Sequence, residues 1–209
     1  MKTYRIKEIF GPTIEGEGSK SGSVVLFLRF AGCNRWTGLE KDRAKSICSY
    51  CDTNFRGGTA MTKEAIVEAL TRAAPSVRNV VVSGGEATLQ LDYPLLEYLY
   101  NSGYKLFLET NGSNALGELA QFFAHITMSP KQSREATLLE RCDDIKILYP
   151  AIHPDITLEK FNEFPAKNKF LQAVWDKDYD AHLRATICRL YGNPEWKLSV
   201  QLHKVIGVQ

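Results

Sequence analysis

Apolar residues along the chain form short runs separated by segments with helical spacing. The run Val24–Phe30 is continuously apolar up to an arginine and predicts a strand that is buried on both faces. Further strand-like runs follow at Asn79–Ser83, Lys105–Glu109, His125–Ser129, Asp144–Leu148, Phe170–Val174 and, more briefly, Leu198–Gln201. This alternation predicts an α/β protein.

Helices are predicted between these strands. Thr62 can cap a helix over Thr62–Ala73, and Asp92 can cap another over Asp92–Ser102, which has Pro94 in its first turn. Further helical spacing occurs at Ala115–Phe123, Leu158–Phe164 and Tyr179–Leu190. Strands that alternate with helices imply right-handed crossovers and a mainly parallel sheet.

The predicted sheet is too small to close. About six strands are fewer than the eight of a closed (β/α) barrel, so we expect a partial barrel or an open doubly wound sheet. We interpret residues 1–209 as one domain with an extended loop at about residues 31–61. Loops of this length in a compact domain are usually functional.

Composition narrows the class of protein. The 209 residues are 44% hydrophobic and 24% charged with a net charge of +2, which is ordinary globular composition and disfavours a nucleic-acid binder. No apolar run approaches the ~20 residues of a membrane span, and the first residues have no signal-peptide core. An odd count of five cysteines then indicates thiols in a reducing compartment, and we expect a cytoplasmic protein.

Chemically capable residues follow several of the predicted strands. They are Cys33 with its loop, Gly84-Gly85-Glu86, Glu109-Thr110-Asn111-Gly112, Ser129-Pro130-Lys131, and Gln172 within its strand. Each segment alone has the composition of an ordinary turn. Because the carboxyl ends of parallel strands meet at one edge, their recurrence predicts a shared site there.

Three cysteines in the long loop carry the strongest local signal. The spacing Cys33-x14-Cys48-x2-Cys51 suits an iron–sulfur cluster with one open iron, but it also permits structural zinc or coincidence. No histidine lies within the loop to complete a four-ligand zinc site. Cys142 and Cys188 match no cluster spacing and are interpreted as incidental thiols.

The ordered motifs resemble a known family. Three cysteines followed by a GGE segment resemble the radical S-adenosylmethionine (SAM) enzymes, and the wide first gap resembles their 7-carboxy-7-deazaguanine synthase branch. The resemblance covers nearly the whole chain through KEIF, Glu15–Gly18, Arg29–Asn34, Cys51-Asp52-Thr53, Ser83–Glu86, Glu109–Gly112, Ser129-Pro130-Lys131 and Gln201–Lys204.

The chain also departs from the family's pattern. Fourteen residues separate the first two cysteines, where the usual radical SAM signature has three. Ala87 stands in place of the proline of GGEP, and Ser83 in place of a threonine. Glu15 stands where the resemblance expects glutamine, and an added carboxylate near an anionic substrate is unfavourable unless it faces away or meets the pterin edge.

The resemblance implies a cofactor set. Cys33, Cys48 and Cys51 would hold a 4Fe–4S cluster whose open iron chelates SAM, and cleavage of SAM would yield a 5′-deoxyadenosyl radical. The residues implied to bind SAM are Gly84, Gly85, Glu86, Ser129 and Lys131. Thr53 would contact Mg²⁺, which needs few protein ligands because it keeps several waters.

The resemblance also implies a substrate and its contacts. The substrate would be 6-carboxy-5,6,7,8-tetrahydropterin, and 7-carboxy-7-deazaguanine would form from it with loss of ammonia. Arg29 suits the substrate carboxylate, and Glu109 suits the adjacent N–H donors of the pterin edge. The other residues implied at the substrate are Glu15, Glu17, Gln172, His203 and Gln209. No side chain is expected to act beyond positioning cofactor and substrate.

Partners and competing functions follow from the same reasoning. The resemblance implies an electron donor such as a flavodoxin and a homodimer, and neither a nucleic acid nor a membrane is expected as a partner. One alternative is an activase that installs a glycyl radical on a partner protein with the same cluster but no pterin site. The other is a zinc-binding interaction module without catalytic activity.

Overall fold

The computed structural model describes residues 2–209, and its strands form one nine-stranded sheet. The strands are β1 (Tyr4–Ile14), β2 (Val24–Phe30), β3 (Thr59–Met61), β4 (Asn79–Gly84), β5 (Lys105–Thr110), β6 (Phe123–Met128), β7 (Cys142–Tyr149), β8 (Ala166–Ala173) and β9 (Lys197–Ser199). Their order across the sheet is β3-β1-β2-β4-β5-β6-β7-β8-β9. β2 and β4 to β9 pair in parallel, while β1 and β3 add an antiparallel edge. The predicted open, mainly parallel α/β sheet is confirmed.

Four α-helices accompany the sheet in the described part of the chain: α1 (Lys63–Ala73), α2 (Tyr93–Asn101), α3 (Tyr179–Tyr191) and α4 (Leu202–Ile206). The two predicted caps are present, since Thr62 Oγ1 accepts from Ala65 N at 3.3 Å and Asp92 Oδ1 accepts from Leu95 N at 3.0 Å. Both caps satisfy backbone donors that a helix start leaves free. None of the helices within residues 2–209 is long and apolar enough to cross a bilayer.

Two predicted helices are wrong. Gly117–Phe122 forms a 3-10 helix in place of the α-helix expected over residues 115–123. Residues 158–164 form successive turns, although Leu158, Phe161 and Phe164 are buried at helix-like spacing. Buried side chains in a compact loop therefore imitate the apolar spacing of a helix. The strands β1 and β3 and the helix α4 were not expected from the pattern.

The two faces of the sheet differ in chemistry. One face packs against α1 and α2 and holds the main apolar core, to which β2 contributes Leu26, Leu28 and Phe30. The opposite face has only a small apolar cluster around Val25, Val81 and Phe107. Beyond this cluster, toward the carboxyl ends of the strands, the same face becomes polar.

Strand register aligns these polar positions. Arg29 on β2 lies opposite Ser83 on β4, and Glu109 on β5 lies opposite Thr127 on β6. Since in-register residues on neighbouring strands project to the same face, the ends of the strands present a continuous polar surface. The loop between β2 and β3, whose only helical turn is the 3-10 helix Glu40–Lys45, lies at this edge.

Candidate active site

Two adjoining cavities open at the carboxyl edge of the sheet. The first, here the cysteine cavity, has a volume of about 1050 Å³ with its mouth and is lined by Cys33, Cys48 and Cys51 together with Ser129 and Lys131. The second, here the carboxylate cavity, is lined by acidic side chains and Arg29. The residues that line both are Glu17, Asp52, Thr53, Ser83, Gly84, Glu109 and Gln201.

The predicted site residues divide between these cavities. Those on the cysteine cavity are Cys33, Cys48, Cys51, Thr53, Gly84, Gly85, Ser129, Lys131 and Gln172. Those on the carboxylate cavity alone are Glu15, Arg29, His203 and Gln209, while Glu17, Thr53, Gly84 and Glu109 line both cavities. Glu86 is the predicted residue that lines neither. Residues far apart in sequence therefore meet in one place, as the rule for parallel sheets requires.

The loop that carries the cysteines is fastened to the sheet by its backbone. Gly32 N donates to Phe55 O at 2.9 Å, and Glu86 N donates to Gly32 O at 3.0 Å. Within the loop, Arg43 Nη1 donates to Ser49 O at 2.8 Å and to Cys51 O at 3.0 Å. These bonds hold the start and the end of the cysteine segment, so the sulfurs are presented by a constrained loop.

Burial and one nearby lysine have opposite effects on the acidity of the cysteine thiols. Burial raises the pKa of Cys48 and of Cys51, whereas the positive charge of Lys131 acts in the opposite direction on the pKa of Cys48. Among residues 2–209 no three cysteine, histidine or acidic side chains converge as the ligands of a single ion. Thiolates on one zinc, at about 2.3 Å each, would have to converge in that way, whereas the thiolates of a cluster bind different irons.

Unpartnered polar atoms mark both cavities as binding sites. In the described chain, the buried side-chain nitrogens and oxygens without a hydrogen-bond partner are Arg29 Nε, Arg35 Nε, Trp36 Nε1 and Tyr50 Oη. Arg29 lines the carboxylate cavity and the other three line the cysteine cavity. Since buried polar groups are normally paired, their concentration here fits a polar cofactor and an anionic ligand.

Gly84 and Gly85 are needed for close backbone packing. Gly84 has a φ of 149°, and a Cβ on Gly85 would lie 2.2 Å from Gly32 O and 2.7 Å from Cys33 Cβ. A Cβ on Gly84 would lie 2.3 Å from Phe30 O on β2, whereas a side chain on Gly85 would push the cysteine loop away. Gly85 thus acts on the position of Cys33, in addition to the approach to SAM that the resemblance implies for both glycines.

Glu86 is buried beneath the cavities. Its Oε1 accepts from Thr88 Oγ1 at 2.6 Å and from Thr110 Oγ1 at 2.7 Å, and its Oε2 accepts from Asn111 N at 2.7 Å. Asn111 Nδ2 in turn donates to Asn34 Oδ1 at 3.1 Å. Glu86 therefore ties two strand-end loops to the residue after Cys33, and its contact with the ammonium group of SAM stays a prediction.

An ion-pair network forms the wall between the two cavities. Lys146, buried on β7, pairs with Glu17 and lies 3.4 Å from Glu109 Oε2. Gln201 Nε2 also donates to Glu17 Oε1 at 2.8 Å. These contacts lower the pKa of Glu17 to about 2, and the two carboxylates raise the pKa of Lys146 despite its burial. Lys146 is the cation of the network and Glu17 its ionised carboxylate, whereas burial raises the pKa of Glu109 and Lys146 acts on it in the opposite direction.

Arg29 extends from β2 into the carboxylate cavity. Its Nη1 lies 3.1 Å from Glu8 Oε1, and its guanidinium carbon lies 5.3 Å from the centre of the Phe10 ring. The Phe10 ring is itself stacked on Phe27 at 4.8 Å. The cation–π contact with Phe10 and the pairing with Glu8 position the guanidinium, while its Nε stays available to an anion.

The end of the chain closes the carboxylate cavity. Leu202 N donates to Gly16 O at 3.0 Å, and a Cβ on residue 16 would lie 2.0 Å from His203 Nδ1. Burial lowers the pKa of His203, so its ring is neutral at neutral pH. Gln209 O accepts from Thr13 Oγ1 at 2.6 Å. The segment therefore holds His203 and Gln209 against the loop that carries Glu15 and Glu17.

Two other predicted residues have protein partners. Gln172 is buried on β8, and its Oε1 accepts from Ser199 Oγ at 2.7 Å. Lys131 Nζ donates to Ser129 Oγ at 2.6 Å and to Ser129 O at 3.0 Å. Desolvation lowers the pKa of Lys131. These bonds orient both side chains at the cysteine cavity.

Sequence reasoning missed several residues of the site. Lys146 stands in an apolar strand between Ile145 and Ile147, and a charge in such a run is the signal that could have revealed it. Arg35, Trp36 and Tyr50 lie in an irregular loop, where no periodicity indicates which side chains face inward. Their participation depends on the path of the loop.

Comparisons with known proteins agree with this arrangement. Residues 43–146 match the model of the radical SAM superfamily. The 7-carboxy-7-deazaguanine synthases of Caulobacter vibrioides and Bordetella pertussis are each 36% identical to this chain, over 99% and 98% of it and 99% of either relative. The crystal structure of QueE from Escherichia coli shares the fold, with a TM-score of 0.68 and 23% identity over 96% of this chain and 95% of that one.

Proposed function

Because the chain belongs to the 7-carboxy-7-deazaguanine synthase family of radical SAM enzymes, we propose that it converts 6-carboxy-5,6,7,8-tetrahydropterin into 7-carboxy-7-deazaguanine. Ammonia is lost in the reaction, which serves the biosynthesis of queuosine and related deazapurines. The observation that carries the choice of substrate is the unpartnered Arg29 Nε in a cavity that adjoins the three cysteines.

The cysteine cavity has the donors that the family's cofactors need. A 4Fe–4S cluster and SAM, which radical SAM enzymes use, supply a carbon radical when bound. Cys33, Cys48 and Cys51 would hold the cluster, and the free donors of Arg35 and Tyr50 are available to polar groups of the cofactor.

The carboxylate cavity offers complementary groups to a carboxypterin. Arg29, placed over the Phe10 ring, offers its guanidinium to the substrate carboxylate, which it can bind in bidentate fashion. Glu109, on the wall shared with the cysteine cavity, can accept the adjacent N–H donors of the pterin edge. Since this wall separates the two cavities, a substrate bound between Arg29 and Glu109 lies next to the cofactor.

Mg²⁺ is proposed at the same wall. Thr53 lines both cavities and follows Cys51 by two residues, so its hydroxyl can reach an ion shared with the substrate carboxylate. Because Mg²⁺ retains waters, one hydroxyl and the substrate oxygens suffice as its other ligands. The ion would offset the negative charge that Glu17, Glu109 and the substrate bring together.

The cellular context is proposed on the resemblance and on the thiols. A reduced flavodoxin or a similar donor would supply the electron, the enzyme would act as a homodimer of single-domain chains, and the cytoplasm would keep its five cysteines reduced. The alternative of a glycyl-radical activase would leave the carboxylate cavity without a use. A zinc module would leave the family match without an explanation.

Anaerobic turnover tests the proposal. The enzyme is reconstituted with iron and sulfide and supplied with SAM, Mg²⁺, a reductant and carboxytetrahydropterin, and mass spectrometry follows carboxydeazaguanine. We expect this product, and because loss of ammonia involves no net oxidation or reduction, 5′-deoxyadenosine need not form in proportion to it. Formation of 5′-deoxyadenosine without the deazaguanine would redirect the enzyme to another substrate.

Substitution of Arg29 tests the substrate site separately. Arg29→Ala is expected to weaken carboxypterin binding about 30-fold, which corresponds to about 2 kcal/mol, because the substrate carboxylate would be left without its cationic partner. Calorimetry measures the affinity, and SAM cleavage without pterin should continue. Arg72→Ala, on the exposed face of α1, is the matched control. Unchanged affinity in the Arg29 variant would contradict its role.

A further inference from the structure

Three glutamate carboxyl groups line the carboxylate cavity, and the buried Lys146 forms ion pairs with two of them. The three are Glu15, Glu17 and Glu109, and Lys146 contacts Glu17 and Glu109. Three ionised carboxylates around one ammonium would leave two uncompensated negative charges in a buried place. Such an arrangement is relieved when one of the carboxyl groups keeps its proton.

The contacts single out Glu15 as the holder of that proton. Its side chain is buried, and the one hydrogen bond that the described residues give its carboxyl is from Glu17 N to Oε1 at 3.0 Å. Glu17, by contrast, has Lys146 and the amide of Gln201. Burial raises the pKa of Glu109 as well, but Lys146 lies 3.4 Å from its Oε2 and favours its ionised form. Glu15 alone of the three lacks a cationic partner.

Charged and titratable side chains from several elements line the cavity around Glu15. Burial and the charges of Glu109 and Glu17 raise the pKa of Glu15 to about 8, with Lys146 acting in the opposite direction. Arg29 on β2 is paired with Glu8, and His203 on the chain's last segment is neutral because its pKa is lowered. Asp52 from the cysteine loop pairs with Lys204. Within residues 2–209, no cationic side chain forms an ion pair with Glu15, and the free Nε of Arg29 is assigned to the substrate carboxylate.

We propose that Glu15 is protonated at neutral pH and donates a hydrogen bond to a carbonyl oxygen or ring nitrogen of the heterocyclic substrate. The identity of that heterocycle rests on the function proposed above. Glu109 as a carboxylate accepts from N–H groups, whereas Glu15 as a carboxylic acid donates. The pair therefore selects a ring edge that presents N–H donors beside an acceptor, as a 2-amino-4-oxo heterocycle does.

The pH dependence of this donor has a definite sign. Below a pH of about 8 the carboxyl is protonated and donates; above it the carboxylate faces the acceptor's lone pairs and repels them. Carboxypterin affinity of the wild-type enzyme is therefore expected to fall about 10-fold as the pH rises from about 7 to about 9, in line with the loss of one hydrogen bond. Anaerobic calorimetry measures the affinity across that range.

Two substitutions distinguish a hydrogen bond donated by residue 15 from the mere absence of a negative charge there. Glu15→Gln keeps a neutral donor that does not titrate, so its affinity should no longer decline above a pH of about 8. Glu15→Leu is neutral and of similar size but cannot donate, so its affinity should be about 10-fold weaker at every pH. An alkaline decline that persists in Glu15→Gln would overturn the proposal, as would a Glu15→Leu variant that binds like wild type at neutral pH.

Infrared spectroscopy locates the proton without substrate or cofactor. Wild-type enzyme at neutral pH should show the C=O stretch of a protonated carboxyl, and this band should disappear in Glu15→Gln but persist in Glu109→Gln. A band lost in Glu109→Gln and kept in Glu15→Gln would overturn the assignment. If the carboxypterin does not bind wild type at any pH, the proposed function fails, and the infrared result still decides the protonation of Glu15.

Discussion

The cysteine cavity and the carboxylate cavity share a wall but are built on opposite principles. The cysteine cavity is shaped by a loop whose Arg35, Trp36 and Tyr50 have polar atoms without partners, and burial raises the pKa of Cys48 and of Cys51. The carboxylate cavity is held by the internal ion pairs of Lys146 with Glu17 and Glu109. One cavity is completed by what it binds, and the other is organised before binding.

The two cavities differ in what stabilises the conformation of their side chains. A loop with unpaired donors gains hydrogen bonds when cofactors bind, so the loop is expected to become more rigid when the iron–sulfur cluster is assembled. A buried ion-pair network loses stability when one partner is removed. Damage to the first cavity should therefore remain local, while damage to the second should reach the fold.

The largest expected effect is on the cysteine cavity. Cys48→Ala should abolish the cluster and SAM cleavage altogether, because one more iron of the cluster would then lack a protein ligand. Iron and sulfide content and the visible absorption after reconstitution measure the loss. Carboxypterin binding should persist, since the ion pairs of the carboxylate cavity are untouched.

Cys188→Ala provides the matched control, because Cys188 is exposed on α3. It should keep both cluster and activity. A normal cluster in Cys48→Ala would contradict the ligand assignment, and a cluster lost in Cys188→Ala would do the same.

The next effect concerns the shared wall. Lys146→Met leaves Glu17 and Glu109 buried without their cation, so the free energy of unfolding should fall by about 3 kcal/mol. Urea denaturation of the unloaded protein measures this change, and carboxypterin binding should weaken with it. Lys160→Met, at an exposed position, should be neutral. Unchanged stability in Lys146→Met would mean that the cavity is not organised by this network.

The smallest expected effect is at the junction of loop and sheet. Gly85→Ala places a Cβ against Gly32 O, and the resulting strain should lower the free energy of unfolding by about 1–3 kcal/mol and reduce the iron retained per chain. Gly192→Ala, where the nearest atom lies 4.0 Å away, is the control. Full iron retention in Gly85→Ala would show that the loop adjusts independently of β4.

The sequence predicts the cysteine cavity better than the walls around it. The sequence reveals Cys33, Cys48 and Cys51 because their spacing is typical of metal and cluster ligands. It reveals the polar segments after the strands because the carboxyl ends of parallel strands meet at one edge of the sheet. Lys146 was missed because its strand otherwise has the apolar composition of the core. The burial of a charge depends on partners from distant segments, and no local pattern contains them.

The missed elements have similar causes. In β1, Tyr4 and Ile6 alternate inward, but the charged residues between and after them hide a strand that only its neighbours stabilise. The short β3 exists because it pairs with β1. The false helix at residues 158–164 arose because Phe161 and Phe164 are buried by a series of turns.

The closure of the carboxylate cavity by the last segment bears on how the enzyme acquires its activity. The hydrogen bonds from Gln201 to Glu17 and from Thr13 to Gln209 join residues 184 and 196 positions apart. Contacts of such separation close a very long loop, and its entropic cost is offset only when the intervening chain is folded. The carboxylate cavity therefore depends on the folded chain as a whole, whereas the three cysteines belong to a single loop.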